Sequence, residues 1–295
     1  MVVIEALSSQ KAPEEALARS RRRRSHVGLI GWLAILWLLA VVFCAVFAQV
    51  LPIPSATRVA PAQRLLALGS PGHLLGTDNL GRDLFSRMVL GSRVSLVVAV
   101  VSLVIGTIVG VPAGMLAGYK RGRIDGAIMT IIDAVLAFPS LILVLGLVSF
   151  LGQNLLVISL ALGLLAIPPY ARLARAITAA TAERSFVLAA KARGTRTFRI
   201  LSYEIFPNLV PAILAYSMIA MGVVIVVEGS LSFLGLSVSA PQPSWGGLIA
   251  EGRAYMYQSV NMVLVGSLAL FLTVFSLNYL GDVLRRHYDV REARI

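Results

Sequence analysis

Side chains able to do chemistry are few in this chain, and their spacing excludes most reactions. His26, His73 and His287 stand apart, with no second ligand three or four residues away, and the one cysteine, Cys44, lies in an apolar run. Neither a metal site nor an intramolecular disulfide is expected, and no Ser/His/Asp or Cys/His set is in evidence. The chain has no GxxxxGK[ST] phosphate loop, so any ATP and Mg²⁺ belong to another polypeptide and this chain binds no cofactor. The polar residues that remain display charge. Lys191, Arg193, Arg196 and Arg199 stud the segment Ser185 to Pro211, SFVLAAKARGTRTFRILSYEIFPNLVP. Arg82, Asp83 and Arg87 precede a long apolar run, while Asp133 and Glu228 are carboxylates inside such runs.

The elements that must position these groups belong in a bilayer. Of 295 residues 58% are hydrophobic, with a mean hydropathy of +0.85, against about 45–50% apolar content in soluble domains. Six segments are long and apolar enough to span: about 27–51, 92–118, 124–151, 154–173, 205–232 and 260–283. An all-α membrane protein with six transmembrane helices follows. Pro139 and the Pro168-Pro169 pair are expected to bend or interrupt their helices, and Gly152-Gln153-Asn154 to close a tight hairpin. The basic run Arg21–Arg24 precedes an apolar stretch too long for a cleaved signal, which reads as a retained signal-anchor. No internal repeat of the kind built into many secondary transporters is found.

Placing the N-terminus inside puts twenty of the 26 Lys and Arg residues on the cytoplasmic side, as the positive-inside rule requires. Both termini and the 185–203 island are then cytoplasmic. The same distribution accounts for the net charge of +12 without a nucleic-acid partner, since the basic residues flank spans rather than forming a soluble face. The expected division is a tail over 1–26, a first span and outer loop over 27–91, a core over 92–283 and a tail over 284–295.

An unpaired carboxylate in hydrocarbon costs about 2.5–3.5 kcal/mol, so Asp133 is expected to face the bundle or a wet cavity, either near a translocation path or as a structural group. Glu228 is placed near the outer end of its span, at an outer gate or docking surface. Asp83 and Arg87 have the spacing of a local i,i+4 pair. Trp245, Tyr255 and Tyr257 read as interfacial aromatics first and binding-protein contacts second. The basic island, by composition, is an interfacial helix touching anionic lipid or a surface for a partner.

Four blocks resemble the permeases of ABC importers, specifically the C-type subunit of the dipeptide/oligopeptide family. In the island, Ala189, Ala190, Gly194 and Pro207 match the cytoplasmic coupling loop, although Leu188, Glu204 and Phe206 depart from its pattern. The others are HLLGTDNLGRDLFSRMVLGSRVSL from His73, RIDGAIMTIIDAVLAFPSLIL from Arg123 and EGSLSFLGLSVSAPQPSWGGLIAEGR from Glu228. The resemblance implies a type I importer transmembrane domain in a prokaryotic inner membrane. It implies a homologous B-type permease, two ATPase subunits and an extracytoplasmic solute-binding protein as partners, and short peptides as cargo. Ala189, Ala190, Gly194, Arg193, Arg196 and Pro207 would couple to the ATPase, Asp133 and Glu228 would border the path, and Arg82, Asp83 and Trp245 would face the binding protein. Glutathione or nickel are alternative cargoes, and a self-sufficient secondary transporter is the competing class.

Overall fold

The computed structural model describes residues 28–238 and 241–292. The expected tail over 1–26 and its arginine run lie outside these residues. Among the described residues the regular structure is helical, apart from two isolated β-bridges, Ser70 with His73 and Thr77 with Asp83. The helices are α1 Leu29–Phe47, α2 Leu84–Lys120, α3 Gly122–Leu136, α4 Ser140–Leu151, α5 Leu155–Thr181, α6 Ser185–Ala192, α7 Thr197–Phe233, α8 Trp245–Arg253 and α9 Asn261–Glu292. Five of them (α1, α2, α5, α7 and α9) are long and apolar enough to cross a membrane. The pair α3 and α4 is apolar and long enough only when taken together, and is bent by 76° at its junction, as a broken span or a re-entrant loop is.

That bend falls at Pro139, as expected for a residue lacking a backbone donor. The Pro168-Pro169 pair does not interrupt its helix, since α5 runs through both. The reason lies on the facing helix, where Gly106, Gly110, Gly114 and Gly118 recur every fourth residue of α2 and admit α5 at backbone distance. A Cβ on Gly114 would sit 2.1 Å from the carbonyl oxygen of Ala171, and one on Gly110 2.6 Å from that of Ile167. Contacts of this kind drive helix association in lipid, where no hydrophobic effect separates helix from solvent. They hold α5 together across its two missing N–H groups. Within α2 a π-helical turn over Gly106–Gly110 widens the helix at the same place.

Other boundaries also differ from expectation. The second span begins at Leu84, eight residues before the apolar run, because Asp83 caps it. The last helix continues to Glu292, through the segment read as a tail. Its partner α1 is attached lightly, burying Gly31, Ala34, Val41 and Ala45 and donating from Trp37 Nε1 to Thr273 Oγ1 of α9 at 3.0 Å. The central core is built from α2, α5 and α7, with Val98, Leu103, Ile158, Tyr170, Leu209 and Ile225 among its members.

Candidate functional site

The basic island folds into α6, a tight turn and the first turns of α7. Helix α6 closes with two bonds, Gly194 N–H to the Lys191 carbonyl at 2.9 Å and Thr195 N–H to that of Ala190 at 3.1 Å. This is the Schellman arrangement, and it needs a left-handed residue after the cap. Gly194 supplies it with φ +74°. Val187 and Ala190, three residues apart, share one face and are buried against Ile200 and Ile205 of the π-helical turn Ile200–Ile205 in α7. Ala190 therefore packs within the chain instead of meeting a partner, which corrects half of the expected alanine contact; Ala189 is exposed. Lys191 lies over the Tyr119 ring at 4.7 Å, leaving Arg193 and Arg196 exposed, while Pro207 stands in α7 just after its π-helical turn. Phe186, Leu188, Phe198, Tyr203 and Phe206 are exposed along the same segment.

Asp133 has a basic partner that its sequence neighbourhood does not reveal. Arg172 Nη2 of α5 donates to its Oδ1 at 2.6 Å, with the two side chains 55% and 59% exposed. The same two helices are joined by Arg175 and Asp125 in a two-pronged contact at 2.6 Å, and Arg121 reaches Glu183 at 2.7 Å. Apart from Ile132, α3 buries none of its residues in this chain.

At the opposite end of the bundle, Glu228 is fully buried and not at a solvent-facing gate. It accepts from Ser95 at 3.1 Å and from Ser232 and Ser237 at 2.9 Å each, so the hydroxyls of α2, α7 and the following loop satisfy it. It is sealed because α8 folds back over the end of α7: a Cβ on Gly246 would stand 2.5 Å from Gly229 Cα. Trp245 is likewise buried rather than interfacial, and its Nε1 donates to the Met88 carbonyl at 3.0 Å.

Asp83 and Arg87 do not pair. Asp83 Oδ1 caps α2 through Ser86 N–H and Oγ at 2.8 and 2.7 Å, and its Oδ2 lies 2.9 Å from His73 Nδ1. His73, isolated in sequence, is thereby a structural link, with Gln63 Oε1 3.2 Å from its other nitrogen. Arg87 instead joins Asp78 and Glu251. Asp78, fully buried, accepts from Leu80 and Arg82 N–H at 2.7 and 2.9 Å, from Arg82 Nε at 2.5 Å, and from Arg87 Nη1. Glu251 on α8 accepts from Arg82 at 2.7 Å and twice from Arg87 at 2.8 Å. Two arginines thus bridge two carboxylates and fasten α8 to the start of α2, beside a cleft of about 370 Å³ reached by Gln153 and Ser237. Sequence reasoning missed Asp78 and Glu251; the signal was the Asp78/Arg82 spacing of four.

An apolar groove of about 320 Å³ runs between α5 and α7, lined by Leu103, Leu162, Pro169, Ile219 and Val223. A second cleft, of about 490 Å³, follows it toward the α6 end.

Comparison with known proteins gives this geometry a family. Residues 110–294 match the family described as binding-protein-dependent transport system inner membrane component. The glutathione transport system permease protein GsiD of Pectobacterium atrosepticum is 36% identical over 266 residues, 90% of this chain and 87% of its own length. The Escherichia coli protein of the same name is 35% identical over 91% of this chain and 88% of its own length. Among solved structures, an inward-facing form of the MetNI methionine ABC transporter superposes with a TM-score of 0.57 at 19% identity, covering 68% of this chain and 96% of that one. That likeness fixes the fold as the type I importer transmembrane domain, and the whole comparison leads to one conclusion: the chain belongs to the binding-protein-dependent transport system inner membrane components, as a multi-pass permease subunit of an ABC importer.

Proposed function

We propose that this permease forms half of a pathway for short peptides, completed by a homologous permease and served by two ATPase subunits and an extracytoplasmic solute-binding protein. The observation carrying the cargo reading is that relatives 35–36% identical over about nine-tenths of the chain are named glutathione transport permeases. Glutathione is a tripeptide, and it is the narrowest form of the proposal.

The ATPase contact rests on the coupling segment, with ATP and Mg²⁺ in the partner subunits. Phe198 and Tyr203 are 78% and 73% exposed beside Arg193 and Arg196, and aromatic side chains grouped with arginine suit a protein groove. Because Val187 and Ala190 lock α6 onto the base of α7, a push on α6 is passed to the helix that walls the apolar groove. The excess of Lys and Arg on this side supports a cytoplasmic location for the segment and for both termini. The exposed Asp133–Arg172 pair is costly against lipid, which favours water or the second permease on that face of α3. On the outer side, partly exposed Glu251 and the arginines it holds offer a charged platform to the binding protein.

The test is ATP-dependent uptake of a peptide panel including glutathione by the reconstituted complex of both permeases and both ATPase subunits, supplied with the binding protein. Uptake of another solute with failure of every peptide overturns the cargo, and ion-driven flux by this chain alone overturns the machine.

A further inference from the structure

Two features around the junction of α3 and α4 do not suit lipid. The first is backbone. Between Leu136 and Ser140 neither helix continues, α4 starts without a side-chain cap, and residues 136–142 are all exposed in this chain. Non-helical backbone at membrane depth is tolerated only where protein covers it or water reaches it. The second is charge. Asp133 and Arg172, joined at 2.6 Å, are both more than half exposed, and ionised groups inside a span face the bundle interior or a wet cavity.

Both features lie deep. Helix α5 has 27 residues, about 40 Å at 1.5 Å per residue, against a hydrocarbon core of roughly 30 Å. Arg172 stands about 26 Å from the start of α5, inside the core wherever the helix is set so as to span it. Ser140, at the elbow, lines the 320 Å³ groove together with Leu165 and Pro169, which lie about 15 and 21 Å along the same helix. Leu165, Pro169 and Arg172 follow at i, i+4 and i+7, a single stripe of α5. Groove, elbow and ion pair therefore form one continuous surface, apolar toward α7 and charged toward α3, and the next rung toward the α6 end is Arg175 with Asp125.

We infer that this surface is a wetted wall of the transport path and that Asp133 and Arg172 are its cargo-selecting contacts, Arg172 meeting a carboxylate of the passing solute and Asp133 an ammonium. A short peptide carries both charges at its ends, so the inference rests on the peptide reading of the function and names the residues that recognise those ends. Asp133 engages Nη2 of a guanidinium that has five donors, and the exposure of both side chains lets a zwitterion lie against the pair with its charges in the opposite order. Cover by a second permease would instead desolvate the pair, a cost that ion pairs seldom recover.

The test uses proteoliposomes of the assembled importer, saturating binding protein and three forms of trialanine: free, N-acetylated and C-amidated. Each variant's uptake rate is divided by that of the wild type for the same form, which removes the binding protein's own preference. Arg172→Gln should lower this ratio about fivefold for the forms that keep a carboxylate and spare the amide, the loss that an exposed ion contact of about 1 kcal/mol gives. Asp133→Asn should do the same for the forms that keep an ammonium and spare the acetylated one. Equal losses for every form, or none, overturn the cargo contact and leave the peptide reading standing. Should the binding protein reject both blocked forms, free trialanine trapped in the complex should shield Ser140→Cys from a charged, water-soluble thiol reagent, and no shielding overturns the contact. Without cargo, in a Cys44→Ala background, Ser140→Cys should react with that reagent, whereas Leu36→Cys, exposed on α1, should not. A Ser140→Cys variant inert both with and without ATP overturns the wetted wall in favour of a covering permease. If the wild-type complex carries no peptide at all, the functional reading falls, and reaction or inertness of Ser140→Cys alone upholds or overturns the wall.

Discussion

Substitution of Gly194 separates what the backbone demands from what a partner demands. The residue sits at φ +74°, closing α6 through the Gly194 and Thr195 N–H bonds, and a Cβ added there would meet nothing within 4 Å. Sterically the site is open, so the cost of substitution within this chain is conformational only. A left-handed backbone costs an ordinary L-residue about 1–2 kcal/mol, whereas asparagine is tolerated there. For Gly194→Ala that range shifts the closed turn roughly 5- to 30-fold toward open forms. An eight-residue helix has little reserve against such a loss. ATP-driven uptake, measured beside co-purification of the ATPase subunits, should therefore fall in the order Gly, Asn, Ala, Val, with Gly194→Arg abolishing uptake while membrane insertion persists. If Asn fails as completely as Val, a partner contact and not the left-handed turn sets the requirement. If Ala matches Gly, the closure has no role in coupling.

Gly114→Ala should destabilise the chain, because overpacking of about 1–3 kcal/mol at a contact of 2.1 Å outweighs a helix-propensity gain of about 1 kcal/mol. Gly126→Ala, with open space around it, should gain up to that amount, and equal thermal midpoints for the two in detergent would contradict the close α2–α5 packing. Asp133→Arg and Arg172→Asp should each impair uptake while shifting the midpoint little, since a pair more than half exposed is worth under about 1 kcal/mol. The double swap should restore transport, and a swap no better than either single change removes the pair as the working unit. Glu251→Ala leaves Arg87, almost wholly buried, to Asp78 alone; with Glu251 37% exposed the cost should be about 2 kcal/mol, short of the 3–5 for a fully buried pair. Faster hydrogen exchange in α8 would register it, and unchanged exchange would show that the network does not hold that helix.

Much of the architecture was legible because a bilayer imposes simple rules. Apolar length marks a span whatever its neighbours, and Pro139 bends its helix because a missing donor acts locally. The Pro168-Pro169 pair leaves its helix uninterrupted, since whether a helix survives depends on what packs against it. The glycines at 106, 110, 114 and 118 were a readable stripe, yet nothing in the stripe names Ala166 to Ala171 as its counterpart. Glu228 looked solvent-facing because the span read from the sequence ends four residues later, and only the fold-back of α8 places Ser95 and Ser237 around it. Asp83 and Arg87 had the spacing of a pair, but helix capping and a carboxylate 164 residues from Arg87 claimed them instead.

From its sequence alone this chain reads as a permease with six candidate spans and a basic island between two of them, because hydropathy, charge placement and ordered motif blocks depend on residues close together in the chain. Tertiary structure alone decided which charges meet: Asp133 with Arg172, Glu251 with Arg82 and Arg87, Ala190 turned inward and Ala189 out. Those partners lie tens to hundreds of residues apart, and a charge inside a membrane protein selects its neighbour by the geometry of the packed helices, to which local spacing is blind.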